Sequence, residues 1–487
     1  MVAEDVQFLT MATGESVPTC REHSGRWLSC NNLKHVCCIG LYALILYASC
    51  RIIIYSGDDL AFETRPVERY GHVLAALLYF LRYLVITPFL FSVFNCLGIV
   101  LFSVFPVKPR LQRSPLLGPF FCFRVVTRGL FPQLVRDNIQ RNLEVCSNVD
   151  LQNFLFEVVT DAPLLLPKTS RVREVVVPAE YRTSRGTLFK ARALQYSLEP
   201  EVDILSDDDW IIHLDEETLL TEDAVVGIIN FVSEGRHHFG QGVITYSKGQ
   251  VVNWLTTLAD SVRVGVDYGC LRFTLKVLHK PFFSWKGSFI VANAAAEKAV
   301  SFDHGPDASL AEDCFFAVVA FQRGYSFGFV EGEMHEKSTF TLKDFVQQRR
   351  RWMRGIYLTA QSPQLPLRYK LGPILMTISA FCLPFTVLNI PLGILMPIPL
   401  SLPFNAVCSF IASTFGFLFI LGSVKSFSLR RYGVIGCTVL AICSFFSSFL
   451  ILMFEVTASI LAFWWTSLNE FYIVKKELNS NYAPRVV

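Results

Sequence analysis

The sequence predicts an α/β domain on a mostly parallel sheet, flanked by transmembrane helices, in a multi-pass membrane protein. Three observations lead there. The 487 residues are 52 % hydrophobic and only 17 % charged, a balance that argues against a purely soluble chain. The longest apolar runs gather towards the two ends of the chain. Between them, residues 106–338 alternate short β-branched segments with helical patterns, which is how a mostly parallel sheet reads in sequence.

The elements follow in chain order. Residues 1–34 form a mostly polar N-terminal segment without a cleavable leader. The first apolar run, Val36 to Tyr55, is long enough to cross a hydrocarbon layer of about 30 Å. Arg51 lies near its far end, where a long side chain snorkels to the interface. A polar loop is expected from Ser56 to Gly71. It is followed by His72 to Phe105, read as an interfacial lead-in containing Arg82 and one span at about residues 83–105. Residues 35–105 therefore make an N-terminal transmembrane region. Its direction comes from charge: Lys108, Arg110, Arg113, Arg124 and Arg128 follow the span, with no acidic residue before Asp137. Arg21, Arg26 and Lys34 precede the first run. Positive residues favour the cytoplasmic side, so residues 1–34 and the central domain are expected in the cytosol.

Within 106–338, strands are expected at Phe123–Thr127, Phe154–Thr160, Glu174–Val177, Trp210–Leu214, Gly242–Tyr246 and Ser326–Glu331. Helices are expected at Pro132–Cys146, with Pro132 in the first turn, and at Thr221–Ser233. There Thr221 is the N-cap, and Glu222 and Asp223 complement the helix dipole. A third, Ser309–Arg323, is closed by Gly324. Residues 339–370 form an amphipathic interfacial region. From Asp344 to Leu358 the side chains of Phe345, Trp352, Met353 and Ile356 share one face, which suits the headgroup layer. Apolar stretches at about 371–400, 404–424 and 432–465 build a C-terminal transmembrane region, 371–466, ahead of a tail, 467–487. The last stretch fits either one tilted span or a span plus a re-entrant piece.

Composition also excludes classes. A net charge of +3 without a basic, aromatic-laced arm argues against nucleic acid as a partner. The 14 cysteines are irregularly spaced and about half lie in apolar runs, as free thiols facing a reducing compartment would. Chains of this size lacking any Asn-x-Ser/Thr acceptor fit little lumenal exposure.

The candidate chemistry lies in separated clusters. Asp161 closes the run Phe154–Thr160, where a carboxylate can accept hydrogen bonds from a nucleoside; Asp before Ala-Pro is also an ordinary turn signal. Asp215 and Glu217 follow Trp210–Leu214 and, two residues apart in extended chain, point the same way. Such oxygen ligands suit Mg2+ or Mn2+, and an acidic turn capping the next helix is the plain alternative. Asp313, beside Phe315 and Phe316, has the surroundings of a general base, although a first-turn acid is favoured by the helix dipole as well. Gln348, Arg351 and Trp352 combine a planar fork for phosphate with a flat face for a sugar. Arg349, Arg350 and Arg354 then remain for anionic lipid. Lys190 and Arg192 are candidates to line a diphosphate, and His335 reads as a structural histidine. Gly240-Gln241-Gly242 lacks the third glycine of a dinucleotide fingerprint and is set aside.

In their order, Asp161, Asp215-Glu216-Glu217, Glu312-Asp313 and Gln348-Arg349-Arg350-Arg351-Trp352 resemble the inverting membrane glycosyltransferases of family 2. Longer strings narrow the likeness. Arg124-Val-Val-Thr-Arg-Gly129, Leu188-Phe-Lys-Ala-Arg-Ala-Leu-Gln-Tyr196, His213-Leu-Asp-Glu-Glu-Thr218, Val252-Asn-Trp-Leu-Thr-Thr-Leu-Ala-Asp260, Trp285-Lys-Gly-Ser288, Phe302-Asp-His-Gly305 and Glu331-Gly-Glu-Met334 resemble egghead-type β-1,4-mannosyltransferases. The resemblance runs from about residue 106 to the C-terminus. It implies a GT-A fold and transfer of mannose from GDP-mannose to glucosylceramide, giving mannosyl-β-1,4-glucosylceramide. By the same resemblance Asp161 contacts the nucleotide, Asp215 the sugar diphosphate, and Asp215 with Glu217 a divalent metal. Asp313 is the base, Gln348 and Arg351 hold the donor, and Trp352 and Trp285 belong to the acceptor side. The family's metal motif usually ends in Asp where this chain has Glu217. The implied setting is a Golgi or endoplasmic reticulum membrane with the catalytic domain facing the cytosol. A ceramide glucosyltransferase or polysaccharide synthase of the same family, and an inactive membrane scaffold, are the competing readings.

Overall fold

The central strand β1 (Phe121–Thr127) is buried along nearly its whole length because helices or membrane segments cover both faces of the sheet. The computed structural model describes residues 30–62, 65–167, 169–247, 251–283, 285–465 and 471–476. Most of the expected segment 1–34, including Arg21 and Arg26, lies outside the described residues, as does Glu63 of the expected polar loop.

Seven strands form one sheet in the order β3-β2-β1-β4-β6-β5-β7. They are β1, β2 (Phe154–Thr160), β3 (Val172–Val176), β4 (Trp210–Asp215), β5 (Phe239–Thr245), β6 (Ile290–Asn293) and β7 (Phe327–His335). β6 runs antiparallel to both β4 and β5, and every other pairing is parallel. This is the mostly parallel, GT-A-like sheet expected from the sequence. β6 itself was not anticipated: Ile290-Val-Ala-Asn293 is only four residues long and runs straight into a helix, too short for a periodicity to register. β5 begins three residues before the expected Gly242, and its glycines are packing glycines. The ring of Phe289 fills the space a Gly242 side chain would need.

Helices cover the sheet at α4 (Pro132–Asn148), α5 (Phe189–Tyr196), α6 (Glu222–Glu234), α7 (Trp254–Val266), α8 (Ala294–Val300) and α9 (Glu312–Gln322). Thr221 caps α6 by accepting the Ala224 amide, and Gly235 closes it in the left-handed conformation. The helix expected from Ser309 starts three residues later, as α9 at Glu312, after a 3-10 turn at Pro306–Ala308. α7 was missed as an element. It continues through π-helical turns at Asp267–Leu271 and Thr274–Leu278 to a left-handed stop at His279.

The membrane-side helices are α1 (Cys30–Phe62), α2 (Pro66–Tyr83), α3 (Phe89–Leu101), α10 (Leu342–Gln361), α11 (Leu371–Leu395), α12 (Leu402–Ser426) and α13 (Leu429–Phe463). Among the described residues, five helical stretches are long and apolar enough to cross a membrane: Asn31–Ile53, Pro66–Leu101, Leu371–Leu395, Leu402–Ser426 and Leu429–Phe463. The expected polar loop from Ser56 is corrected, since α1 continues to Phe62 and α2 begins at Pro66, breaking only at Gly71. The stretch holds the weak helix formers Ser56, Gly57, Asp58 and Asp59, which is why it reads as a loop in sequence. The last apolar stretch is helical from Leu429 to Phe463 with a break at Gly433, where the backbone leaves the helical region, and residues 434–463 run on without a further break, as one tilted span would. α12 packs on α7 where Gly265 meets the backbone of Leu418 and Gly422 that of Ser261. Small residues there let two backbones approach closely.

Inside the sheet sits a charged network. Arg124 of β1 is fully buried and pairs with Glu157 of β2 at 2.7 Å and Glu297 of α8 at 3.0 Å. His213 of β4 shares Glu297 at 2.6 Å, and Arg173 of β3 takes the other oxygen of Glu157 at 3.0 Å. Four strands and a helix are thus tied through two carboxylates. Removing one member leaves buried charge without compensation. Arg124→Met is expected to cost about 3–5 kcal/mol and to lower the melting temperature of the detergent-solubilised protein; an unchanged melt would remove the network as a support of the sheet.

Candidate active site

Parallel pairing brings the first two candidate carboxylates to one edge. β2, β1 and β4 are neighbours, with Thr160 opposite Thr127 and Asp215 opposite Val126. Asp161 and Asp215 therefore flank the carboxyl end of β1, where ligands of such sheets bind. Arg192 of α5 bonds Asp161 at 2.8 Å and Arg128 reaches its other oxygen at 3.2 Å. Arg192 also donates to the carbonyls of Pro178 and Tyr181. It enters the site as the partner of Asp161 and does not line the cavity described below, unlike the position expected beside a diphosphate.

Lys190 stands at the centre. Its ammonium contacts Asp215 at 2.6 Å, the Gly287 carbonyl at 3.1 Å and Glu312 at 3.7 Å. Burial opposes its charge, but Asp215 and Glu312 outweigh burial and raise its proton affinity. Asp215 shows the reverse balance: burial pushes the carboxyl up, while Lys190, Lys476 and Arg351 hold it below its usual range. A side chain placed on Gly287 would lie 3.1 Å from the Lys190 ammonium, 3.3 Å from Asp313 and 3.6 Å from Glu312. The glycine keeps that point open, and it marks where the three charged groups converge. Phe189 and Phe289, one beside Lys190 and the other beside Ser288, both adopt positive φ. Aromatic residues rarely do so, and such backbone clusters at functional sites.

Asp313 occupies the first turn of α9 and accepts the Cys314 amide at 2.8 Å. Burial, and then the neighbouring Glu312, push its carboxyl up to about 7. Glu217 is also pushed up to about 7, by burial first and then, against the pull of Lys476, by Asp215 and Glu336. Glu336, just beyond β7, accepts the Thr218 hydroxyl at 2.7 Å and is raised by burial and by Asp215. Asp215, Glu217 and Glu336 thus feel one another's charge. Among the described residues no group of three acidic, His or Cys side chains is arranged to hold a metal. Asp215 and Glu217 each face a lysine instead, Lys190 and Lys476.

α10 supplies the basic cluster. It is packed against α9, α11 and α13. Arg351 reaches the Leu310 carbonyl at 3.5 Å and lies 4.3 Å over the Phe471 ring; its Nε is buried without a hydrogen-bond partner among the described residues. Gln348 lines the cavity. Trp352 lines it too, with the guanidinium groups of Arg263 and Arg349 each 4.5 Å over its ring. The expectation that Arg349 faces lipid is overturned: it is buried, bonded to Asp260 at 2.6 Å and to Glu455 of α13 at 2.9 Å. Trp285 is nearly buried, edge-on to Phe327, and its indole N–H has no partner among the described residues. His335 bonds Thr245 at 2.7 Å through Nδ1, a structural contact within the sheet.

One cavity of ≈ 990 Å³ joins these groups. Asp161, Asp215, Glu217, Asp313 and Arg351 line one part of it. Phe91, Leu383, Phe415, Phe445 and Leu452, all on membrane-side helices, line another. Glu336, Lys476 and Glu455 also border it and were not singled out from the sequence. Glu336 had a trace in the string Glu333-Met-His-Glu336, whereas Lys476 and Glu455 lay in a tail and an apolar run with no local motif.

An acidic strand edge, a buried carboxylic acid and an arginine fork beside an apolar wall thus share one cavity. The family model "Glycosyl transferase family group 2" matches residues 210–473, and the chain belongs to that family. It is 49 % identical over 418 residues to the "Beta-1,4-mannosyltransferase egh" of Drosophila melanogaster, covering 85 % of this chain and 90 % of the relative. It is 47 % identical over 419 residues to the "Beta-1,4-mannosyltransferase bre-3" of Caenorhabditis elegans, covering 85 % and 91 %. Among solved structures, the mannosyltransferase PcManGT of Pyrobaculum calidifontis, in complex with GDP-Man and Mn2+, aligns over 79 % of this chain and 99 % of its own. Its identity is 14 % and its TM-score 0.43.

Proposed function

We propose that the chain is an inverting β-1,4-mannosyltransferase that moves mannose from GDP-mannose to the 4-hydroxyl of glucosylceramide. The observation that carries this reading is the single cavity that is acidic and cationic at one part and walled by membrane helices at another. A water-soluble sugar nucleotide suits the first part. A lipid carrying a sugar headgroup suits the second. The names of the relatives support the mannosyl donor and the linkage.

Asp161 faces the nucleoside, with Arg128 and Arg192 fixing its carboxylate. Gln348 and Arg351 hold the diphosphate, and Trp352 and Trp285 border the acceptor. Asp215 and Glu217 are hard oxygen donors beside each other on the cavity wall, and they fit Mg2+ or Mn2+ completed by phosphate and water. Such a cation, when bound, offsets the charge on the departing diphosphate. Lys190 keeps Asp215 ionised and correctly turned. Asp313 takes the proton from the acceptor hydroxyl as its oxygen attacks the anomeric carbon. The bond from that carbon to the GDP oxygen breaks, GDP leaves, and an α-linked donor becomes a β-linked product. Positioning both substrates in one cavity supplies much of the rate.

Purified protein is expected to consume GDP-mannose and glucosylceramide in a divalent-metal-dependent reaction; turnover of UDP-glucose with GDP-mannose inert would refute the donor. A base works deprotonated. With Asp313 held near 7, the rate should rise with pH and reach half its plateau at about pH 7. Asp313→Asn should lower turnover by about 10²–10⁴-fold and still bind donor, and a variant that turns over at the wild-type rate would exclude Asp313 as base. The catalytic domain is proposed to face the cytosol from a Golgi or endoplasmic reticulum membrane. Protease added to sealed vesicles with the cytosolic face outward should then digest residues 106–338, and full protection would reverse the orientation.

A further inference from the structure

Glu455 lies where the charged part of the cavity meets the apolar part. It belongs to the apolar helix α13, on the face that carries Phe445, Ser448, Phe449 and Leu452, and all of these line the cavity. Spacings of three and four residues keep them on one side of the helix. Phe415 of α12 and Leu383 of α11 complete the apolar wall. The Ser448 hydroxyl donates within its own helix, to the Phe445 carbonyl at 3 residues' distance. Among the described residues Glu455 is therefore the one charged group that α13 presents to the cavity. An ionisable side chain in an apolar helix is costly, and it marks a partner or a substrate path.

Arg349 holds one side of this carboxylate. Its Nε donates to Oε1 of Glu455 at 2.9 Å and its Nη2 to Asp260 at 2.6 Å. The Asp260 side chain is enclosed, with 2 % of its surface accessible, whereas Glu455 keeps 25 %. Among the described residues no donor reaches Oε2 of Glu455. An ionised carboxylate only accepts hydrogen bonds, and it does so through both oxygens. The open oxygen thus calls for an N–H or O–H from the molecule in the cavity. With lipid chains on the apolar wall and the sugar among the charged groups, Glu455 meets the linkage between them. Sugar-bearing lipids differ there. A sphingoid linkage offers an amide N–H and a hydroxyl, while a diacylglycerol linkage offers ester oxygens that only accept. We propose that Glu455 selects the lipid class of the acceptor: its open oxygen accepts from the sphingoid amide or hydroxyl, and a glycerolipid bearing the same sugar is rejected. The selection rests on the acceptor reading above and adds the residue that enforces it. Arg349 fixes the carboxylate from α10, two residues from Arg351, so the linkage is recognised at a set place relative to the donor.

The test gives full-length protein in detergent GDP-mannose with either glucosylceramide or glucosyl-diacylglycerol of matched chain length. Wild type should favour the ceramide form in kcat/KM by about tenfold or more, as expected when a hydrogen bond to a charged group is lost. Glu455→Gln keeps an oxygen for Arg349 and turns the open acceptor into an amide donor. It should bring the preference to about parity. A Glu455 that served only to hold Arg349 would lower both rates and leave their ratio intact, and that result overturns the proposal. Wild type is also given glucosylceramide methylated at the amide nitrogen, and the form lacking the sphingoid 3-hydroxyl. At least one of these should lose about tenfold in kcat/KM, and lose little in Glu455→Gln. No loss with either analogue overturns the proposal on the wild-type protein alone, so a folding defect in the variant does not shelter it. A wild type that mannosylates neither sugar-lipid ends the acceptor reading and this selection with it, whereas equal use of both ends the selection alone.

Discussion

Arg349 joins the sheet domain to the membrane-side helices, and the position of the site depends on that join. Its guanidinium spans Asp260 of α7 and Glu455 of α13 at 2.6 and 2.9 Å, while Trp352 lies against it. Three elements distant in sequence are held by one buried cation. Ion pairs of this kind add little net stability over an apolar packing, but losing one partner strands a charge, so they specify one arrangement strongly. Here the specified arrangement sets α10 between the sheet and the transmembrane helices. The cavity consequently opens on both.

Electrostatic balance is the second constraint. Asp215, Glu216, Glu217, Glu312, Asp313 and Glu336 crowd one region, which without cations would be self-repelling. Lys190 answers this from α5 and Lys476 from the C-terminal segment. The balance is uneven. Asp215 stays ionised beside Lys190, whereas Asp313, desolvated and next to Glu312, holds its proton to about neutral pH. Two carboxylates in one cavity are thereby given different proton affinities, the difference on which the proposed transfer relies.

The strands bearing the site were legible in advance because apolar, β-branched runs followed by an Asp leave a local trace, as at Phe154–Thr160 before Asp161 and Trp210–Leu214 before Asp215. Thr221 was legible as a cap for the same reason. Arg349 was misread because three adjacent arginines beside an apolar stretch look alike in sequence. Only the packing of α7 and α13 separates the buried one from Arg350 and Arg354. β6 was too short to show a period, and α7 carried threonines and a buried Asp260 that disguise a helix. Glu455 and Lys476 had no neighbours in sequence to declare them.

What the amino-acid order determined by itself was therefore everything governed by local periodicity and charge. That includes the apolar helices, the alternating sheet domain, and the identity of Asp161, Asp215, Glu217, Asp313 and Arg351 as candidate chemistry. Tertiary structure decided which of these groups meet and in what electrostatic state, because distance and desolvation depend on long-range contacts. It set Lys190 between Asp215 and Glu312, turned Arg192 to Asp161, buried Arg349 against Glu455, and brought Lys476 back over 259 residues of chain to Glu217.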